Sequence, residues 1–399
     1  MTTSRHLRGR SSNPALIILS LSLSIAVGLG IGRFAYSLVL PDMRDSLGWS
    51  YSTAGFMNTV NAVGYLAGAL SASKVVRRIG AFNAVWLGTL ICLAALALSA
   101  LSGNAVPFSL ARLALGVGAA FALVGGGALT ATIAQANPSR AAVLLSLFYA
   151  GPAIGIIASG LVSPFVLVGF GRGSWWLVWV VLSAISAAFA LVVWAYRVES
   201  PPAPRESVAV GIALRPILAY LAGYFLFGAG YIAYMTFMIA YVRDAGGGAL
   251  AQSAFWCAIG LGAFVSPWIW RGLLEHGDSG KAMAVLMAMT AIGAALPMAG
   301  HGPVLLGASA LVFGIAFFAV VTATTAFVRF NYPPAAWPQA IAVMTIAFSL
   351  GQTLGPFVTG AITDALGSLF YALVASAGAL GVGAAVALGQ RPLARTARR

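Results

Sequence analysis

Residues 15–40 read ALIILSLSLSIAVGLGIGRFAYSLVL, an apolar run broken by one charge, Arg33. A bilayer core about 30 Å thick takes about 20 apolar residues of helix. The run exceeds that length. It is also too long for the apolar core of a secretory signal, although Arg5, Arg8 and Arg10 precede it. It predicts an uncleaved first membrane-spanning helix. Similar runs recur along the chain and predict spans over 14–40, 51–72, 82–101, 107–135, 141–168 and 175–197. A second set follows over 214–242, 253–272, 281–299, 303–330, 338–364 and 368–389. The whole chain agrees: of 399 residues 60% are hydrophobic and 8% charged, and the mean hydropathy is +0.95. So little charge cannot cover the surface of a soluble domain. The 47 glycines fit helices that pack in lipid through close backbone approach.

The formal charge of +14 would suggest nucleic acid in a soluble protein. Here the basic residues fall between the spans, and no nucleic-acid motif accompanies them. The tails and the loops on their side carry 17 of the 22 Lys and Arg, whereas the opposite loops carry Arg44, Arg172 and Arg243. Basic loops stay on the cytoplasmic side. An even number of spans therefore predicts both termini in the cytoplasm of a multi-pass plasma-membrane protein (the inner membrane in a host with two). Glu199, Pro201, Pro202, Pro204, Arg205 and Glu206 mark a polar linker over 198–213. It separates an N-terminal bundle, 1–197, from a C-terminal bundle, 214–399.

The two sets repeat at a nearly fixed offset. Gly28 and Gly30 match Gly228 and Gly230, 200 apart, and Arg44–Asp45 matches Arg243–Asp244, 199 apart. Gly116 matches Gly314, 198 apart, and Gly151, Gly155 and Gly160 match Gly351, Gly355 and Gly360, 200 apart. Six helices per unit is even, so the second copy keeps the orientation of the first. The expected fold is all-α: twelve transmembrane helices in two pseudo-symmetric six-helix bundles. Such parallel repeats enclose a cleft and work by rocking about it.

Several stretches resemble the major facilitator superfamily. Arg112-Leu113-Ala114-Leu115-Gly116-Val117-Gly118-Ala119-Ala120 is similar to its fourth-helix motif, with Leu115 where Gln is common. Gly151-Pro152-Ala153-Ile154-Gly155 resembles the Gly-Pro motif of its antiporters, with Leu147 replacing an upstream Gly. The loop from Gly68 to Gly80 corresponds to the first cytoplasmic signature, keeping Lys74, Arg77 and Arg78 without the usual Asp. The segments from Gly30 to Tyr36 and from Asn61 to Gly68 resemble the YbfB/YjiJ-type branch. The resemblance implies alternating-access transport of a small molecule and names no substrate; no cofactor is expected, and the expected working unit is a monomer.

Arg33 and Arg112 lie within spans, where a charge costs at least about 2.5–3.5 kcal/mol and marks a functional candidate. Two readings stand: an anion site, since guanidinium binds carboxylate and phosphate bidentately, or structural arginines that bond backbone carbonyls or reach Asp42 or Asp364 at the outer gate. Tyr36, Asn58, Asn61, Tyr231, Tyr234 and Gln352 join the binding candidates, with Tyr65, Tyr224, Thr324, Thr325 and Thr353 as weaker ones. Asn58, Asn61 and Tyr65 share a helical face and serve equally as bonds between helices. Gly116, Gly151, Pro152, Gly155, Gly351, Gly355 and Pro356, with Lys74, Arg77 and Arg78, are expected to pack or gate. Asp42 and Asp364 are the coupling candidates, because no acid falls deep in a span. Trp175, Trp176, Trp179 and Trp194 read as interfacial anchors.

Cys92 and Cys257 are too isolated for a metal site, and His6, His276 and His301 are scattered. No catalytic cluster of HExxH or paired-acid type and no phosphate-binding loop is present in the sequence. A membrane enzyme and a primary pump therefore fit poorly. A sensor on a transporter scaffold would need an appended soluble domain, for which tails and linker are too short.

Overall fold

In lipid every backbone polar group needs an internal partner, so spanning segments are helical. The computed structural model describes residues 13–198, 211–275, 277–300, 302–333 and 336–393, apart from the side chains of 142 and 338. The basic N-terminal residues, most of the linker, and His6, His276 and His301 lie outside them. Among the described residues twelve long helices follow the predicted spans. These are α1 (Pro14–Leu47), α2 (Tyr51–Ile79), α3 (Ala81–Ser99), α4 (Ala105–Gln135), α5 (Ala141–Tyr149 and Gly151–Phe170) and α6 (Trp175–Ala195). Then come α7 (Leu218–Asp244), α8 (Ala249–Ile269), α9 (Lys281–Ala295), α10 (Pro303–Asn331), α11 (Trp337–Leu366) and α12 (Leu369–Leu388). Eleven of these segments are long and apolar enough to cross a membrane. The other, α2, carries Lys74, Arg77 and Arg78 on its exposed last turns and turns Asn58 and Asn61 inward. Large apolar side chains face out along the spans, as with Leu191 and Phe170. Polar ones are consumed locally: Ser20, Ser22 and Ser24 donate to carbonyls three residues back at 2.6–2.7 Å.

The chain forms two compact units, Met1–Trp49 with Val60–Arg205, and Ser50–Thr59 with Glu206–Arg399. Each is knit by glycines that let backbones touch. In the first, a Cβ on Gly151 would overlap the Ser22 carbonyl and one on Gly155 the Ala26 carbonyl, so α5 lies directly on α1. In the second, Gly351 meets the Phe225 carbonyl and Gly355 the Ala229 carbonyl, so α11 lies on α7 in the same way.

These contacts set the register of the repeat. Gly151 and Gly351 are 200 apart, but their partners Ser22 and Phe225 are 203 apart, as are Ala26 and Ala229. Contacts with α4 and α10 agree. Gly28 packs on Ala119 and Gly32 on Leu115, whereas Tyr231 stacks on Phe317 and Tyr234 on Phe313. Ala119 to Phe317 and Leu115 to Phe313 are both 198. Tyr231 and Tyr234 thus occupy the places of Gly28 and Gly32. The 200-residue match of Gly28 and Gly30 with Gly228 and Gly230 does not survive. Gly28 meets α4 and Gly30 meets α5, but Gly228 meets α11 and Gly230 meets α12.

At the far end of the helix Arg44–Asp45 and Arg243–Asp244 are again 199 apart. α1 therefore contains four residues more than α7 between these points. Part of the surplus is wound into Ala26–Phe34, which is a π-helix. π segments are wider than α-helix and concentrate at functional sites. The last turn of this one carries Arg33.

Candidate functional site

Arg33 sits on the last turn of the π segment and is 3% exposed. Among the described residues its Nε and Nη2 have no hydrogen-bond partner. Its guanidinium lies 5.7 Å from the centre of the Tyr65 ring, close enough for a cation–π attraction. An aromatic face accepts positive charge but leaves the N–H donors unused.

Arg112, on α4, is 1% exposed and differently placed. Its Nη1 donates to the Gly32 carbonyl at 2.7 Å and its Nη2 to the Arg33 carbonyl at 3.5 Å. The same guanidinium lies 4.7 Å from the Tyr36 ring centre. Asn61 donates to the Arg112 carbonyl at 3.0 Å. α2 thus ties to α4, α4 holds the π segment by its backbone, and the segment presents Arg33. Gly116 makes this possible, because a Cβ there would strike the Asn61 carbonyl.

In the second unit Gln352 is fully buried, and its Nε2 donates to the Tyr231 hydroxyl, while its Oε1 has no partner among the described residues. Tyr234 goes elsewhere. The Ser309 hydroxyl donates to the Gly293 carbonyl at 2.7 Å, so Tyr234 donates to Ser309 at 2.5 Å. Asn58 donates to Thr236 at 2.8 Å. The sequence candidates therefore divide: Arg33, Arg112, Tyr36, Asn61 and Tyr65 gather in one unit, and Tyr231 and Gln352 in the other. Thr324 meets Tyr220 at 3.4 Å, Thr325 is exposed, and Thr353 bonds its own helix at 2.8 Å.

Both coupling candidates cap helices. Asp42 accepts from the Gly173 and Trp175 amides at 3.0 Å, at the start of α6. Asp364 accepts from the Tyr51 and Ser52 amides at 2.8 Å, at the start of α2. Pro152 opens the second segment of α5, after a break at Ala150, and Pro356 lies inside α11 with its carbonyl against Gly55. Of the four tryptophans expected at interfaces, Trp176 and Trp194 are exposed. Trp179 is fully buried, 6.2 Å from Phe108, and Trp175 is buried as well. Spacing near a span end could not separate the two classes.

The aromatic neighbours of Tyr231 (Phe227, Phe317 and Phe348) were not singled out from the sequence. Phe227 continues the stripe of the candidates Tyr224, Tyr231 and Tyr234 at three- and four-residue steps, and that spacing would have found it. The π segment had its own signal, glycine at 28, 30 and 32.

The family model described as an uncharacterised MFS-type transporter, YbfB, matches residues 25–388. The chain belongs to this family of the major facilitator superfamily. It is a multi-pass membrane transporter, not an enzyme. The transporter resembles in fold the crystal structure of a mutant of the nucleoside transporter NupG. The TM-score is 0.72 at 16% identity, over 93% of this chain and 99% of that one. It equally resembles a bacterial homolog of the human lysosomal transporter Spinster, in an inward-facing, unoccupied conformation. There the TM-score is 0.72 at 15% identity, over 95% of this chain and 97% of that one. At such identities the likeness carries the fold alone. No curated protein matches the transporter.

Proposed function

We propose that the protein moves a small anionic solute across the plasma membrane by alternating access, with Arg33 as the group that holds the charge. One observation carries this reading: a guanidinium 3% exposed whose Nε and Nη2 find no partner. An uncompensated buried charge is costly, and a carboxylate or phosphate arriving with the substrate offsets that cost through charge-assisted bonds. Among the described residues no Asp or Glu is buried. Arg112 is assigned to the support of Arg33, because backbone carbonyls take its Nη1 and Nη2 donors.

The moving bodies are the helices of 1–197 and 214–399, joined by the linker 198–213, with both termini cytoplasmic as the distribution of basic loops requires. The working unit is the monomer. The Gly151-Pro152 step favours efflux or exchange, with import by the same machinery as the alternative. Asp42 and Asp364 engage both carboxylate oxygens in helix caps. That favours solute exchange over proton exchange.

The test is a thermal-shift screen on detergent-purified protein with organic anions, sugars, amino acids and hydrophobic cations. Ligand that binds only the folded state stabilises it by RT ln(1 + [L]/Kd). Organic anions should stabilise the wild type and fail on Arg33→Ala. Equal stabilisation of both proteins by anions overturns the assignment of Arg33.

A further inference from the structure

Around Tyr231 the second unit holds rings that lie almost parallel. Tyr224 and Phe227 on α7 differ by 2° in plane, and Tyr224 and Phe348 by 16° with centres 4.9 Å apart. Phe227 and Tyr231 differ by 16° at 4.9 Å, Tyr231 and Phe348 by 7° at 5.7 Å, and Tyr231 and Phe317 by 24° at 6.0 Å. Aromatic pairs in proteins adopt edge-on as well as offset-stacked geometry. Edge-on pairs occur elsewhere in this chain, for example Tyr51 with Phe237 at 72°. A set confined to one orientation forms a series of flat faces, with Phe348, at 9% exposure, its most open ring.

A polar group stands at the edge of these faces. Gln352 is fully buried and directs Nε2 to the Tyr231 hydroxyl. Its Oε1 has no partner among the described residues. Leaving a buried acceptor unmatched costs free energy that a donor from a ligand removes. The repeat underlines the difference between the units: Tyr231 occupies the place taken by Gly28 in the first, where no ring is possible.

We infer that the aromatic faces on α7, α10 and α11, together with the Gln352 carbonyl oxygen, form a binding subsite for a planar ring carrying an N–H donor on its edge. The ring stacks on Phe348 and Tyr231, and its N–H donates to Gln352 Oε1. A saturated ring is puckered and fits parallel faces poorly, and a ring without a donor leaves Oε1 unmatched. The inference rests on the transport reading for its purpose, since it specifies part of the solute. It does not rest on Arg33.

The probes are benzimidazole and 1-methylbenzimidazole at a pH where both are neutral, titrated calorimetrically into the detergent-purified full chain. The two share a ring system and differ in the N–H. Benzimidazole should bind wild type about tenfold more tightly, the size of one buried hydrogen bond. Gln352→Leu should abolish that preference while leaving 1-methylbenzimidazole binding in place, and Phe348→Leu should weaken both. Equal binding of the two probes to wild type, or no binding of benzimidazole, overturns the subsite. The wild-type comparison decides the matter even if a variant misfolds. Acetate, which reports on Arg33, is titrated into the same preparations. Acetate binding without benzimidazole binding sinks the ring subsite alone, and the reverse sinks the anion reading alone.

Discussion

Arg112 holds the backbone of Arg33: its guanidinium donates to the Gly32 carbonyl at 2.7 Å and to the Arg33 carbonyl at 3.5 Å. The two buried arginines therefore differ in kind. Arg33→Met should leave thermal stability unchanged or raise it, because it removes a buried charge whose Nε and Nη2 have no partner. Arg112→Met should lower stability by about 2–4 kcal/mol, because it strips buried carbonyls of a charged donor. Unfolding midpoints of the two variants in one detergent decide this. Equal losses would mean that Arg33 is also a structural tie.

The division between these arginines was not legible in the sequence. Span count, the six-plus-six repeat and the superfamily followed from apolar length, loop charge and motifs, all of which act over many residues. What Arg33 and Arg112 touch depends on the register of α1 against α4. That register is set by four surplus residues partly wound into a π segment, and a glycine match at 200 residues pointed to the wrong pairs. With 47 glycines in the chain, pairs such as Gly28 and Gly228 coincide without sharing a neighbour. The Gly151 and Gly351 equivalence held because each glycine meets a backbone carbonyl that tolerates no Cβ. Asn58 and Asn61 lie on one face of α2, yet one bonds α7 and the other α4. Periodicity reports a face, not the partner that covers it.

Gly355→Ala tests the close approach of α11 and α7. Its Cβ would overlap the Ala229 carbonyl, and rigid backbone cannot yield as a side chain end would. Overpacking of this type costs about 1–3 kcal/mol. Gly378→Ala is the control, since nothing lies near a Cβ there. The prediction is a lower midpoint for Gly355→Ala and none for Gly378→Ala, read by differential scanning fluorimetry.

Tyr234→Phe removes the hydroxyl that donates to Ser309 and leaves the Ser309 bond to the Gly293 carbonyl intact. The expected loss is about 1 kcal/mol for one hydrogen bond. The ring itself stacks on Phe313 at 4.1 Å and remains, so Tyr234→Ala should cost more, about 3–5 kcal/mol by analogy with other large-to-small core changes. Denaturation of the pair, compared at one protein concentration, separates the hydroxyl from the ring.

Asp364 holds the start of α2 through two backbone amides, Tyr51 and Ser52, both at 2.8 Å. Unpaired amides at a helix start carry partial positive charge, so an anionic side chain there is stabilising twice over, by hydrogen bonding and by the helix dipole. Asp364→Asn keeps an oxygen acceptor but loses the charge, and Asp364→Ala loses both. Stability should fall in that order, with Ala costing about 1–2 kcal/mol. Asp42 caps α6 at 3.0 Å by the same device and should give the same order. Transport measured at several pH values supplies the second readout. If the acids only cap helices, Asp364→Asn and Asp42→Asn retain transport with an unchanged pH profile. A profile that flattens in either variant would reassign that acid to proton coupling.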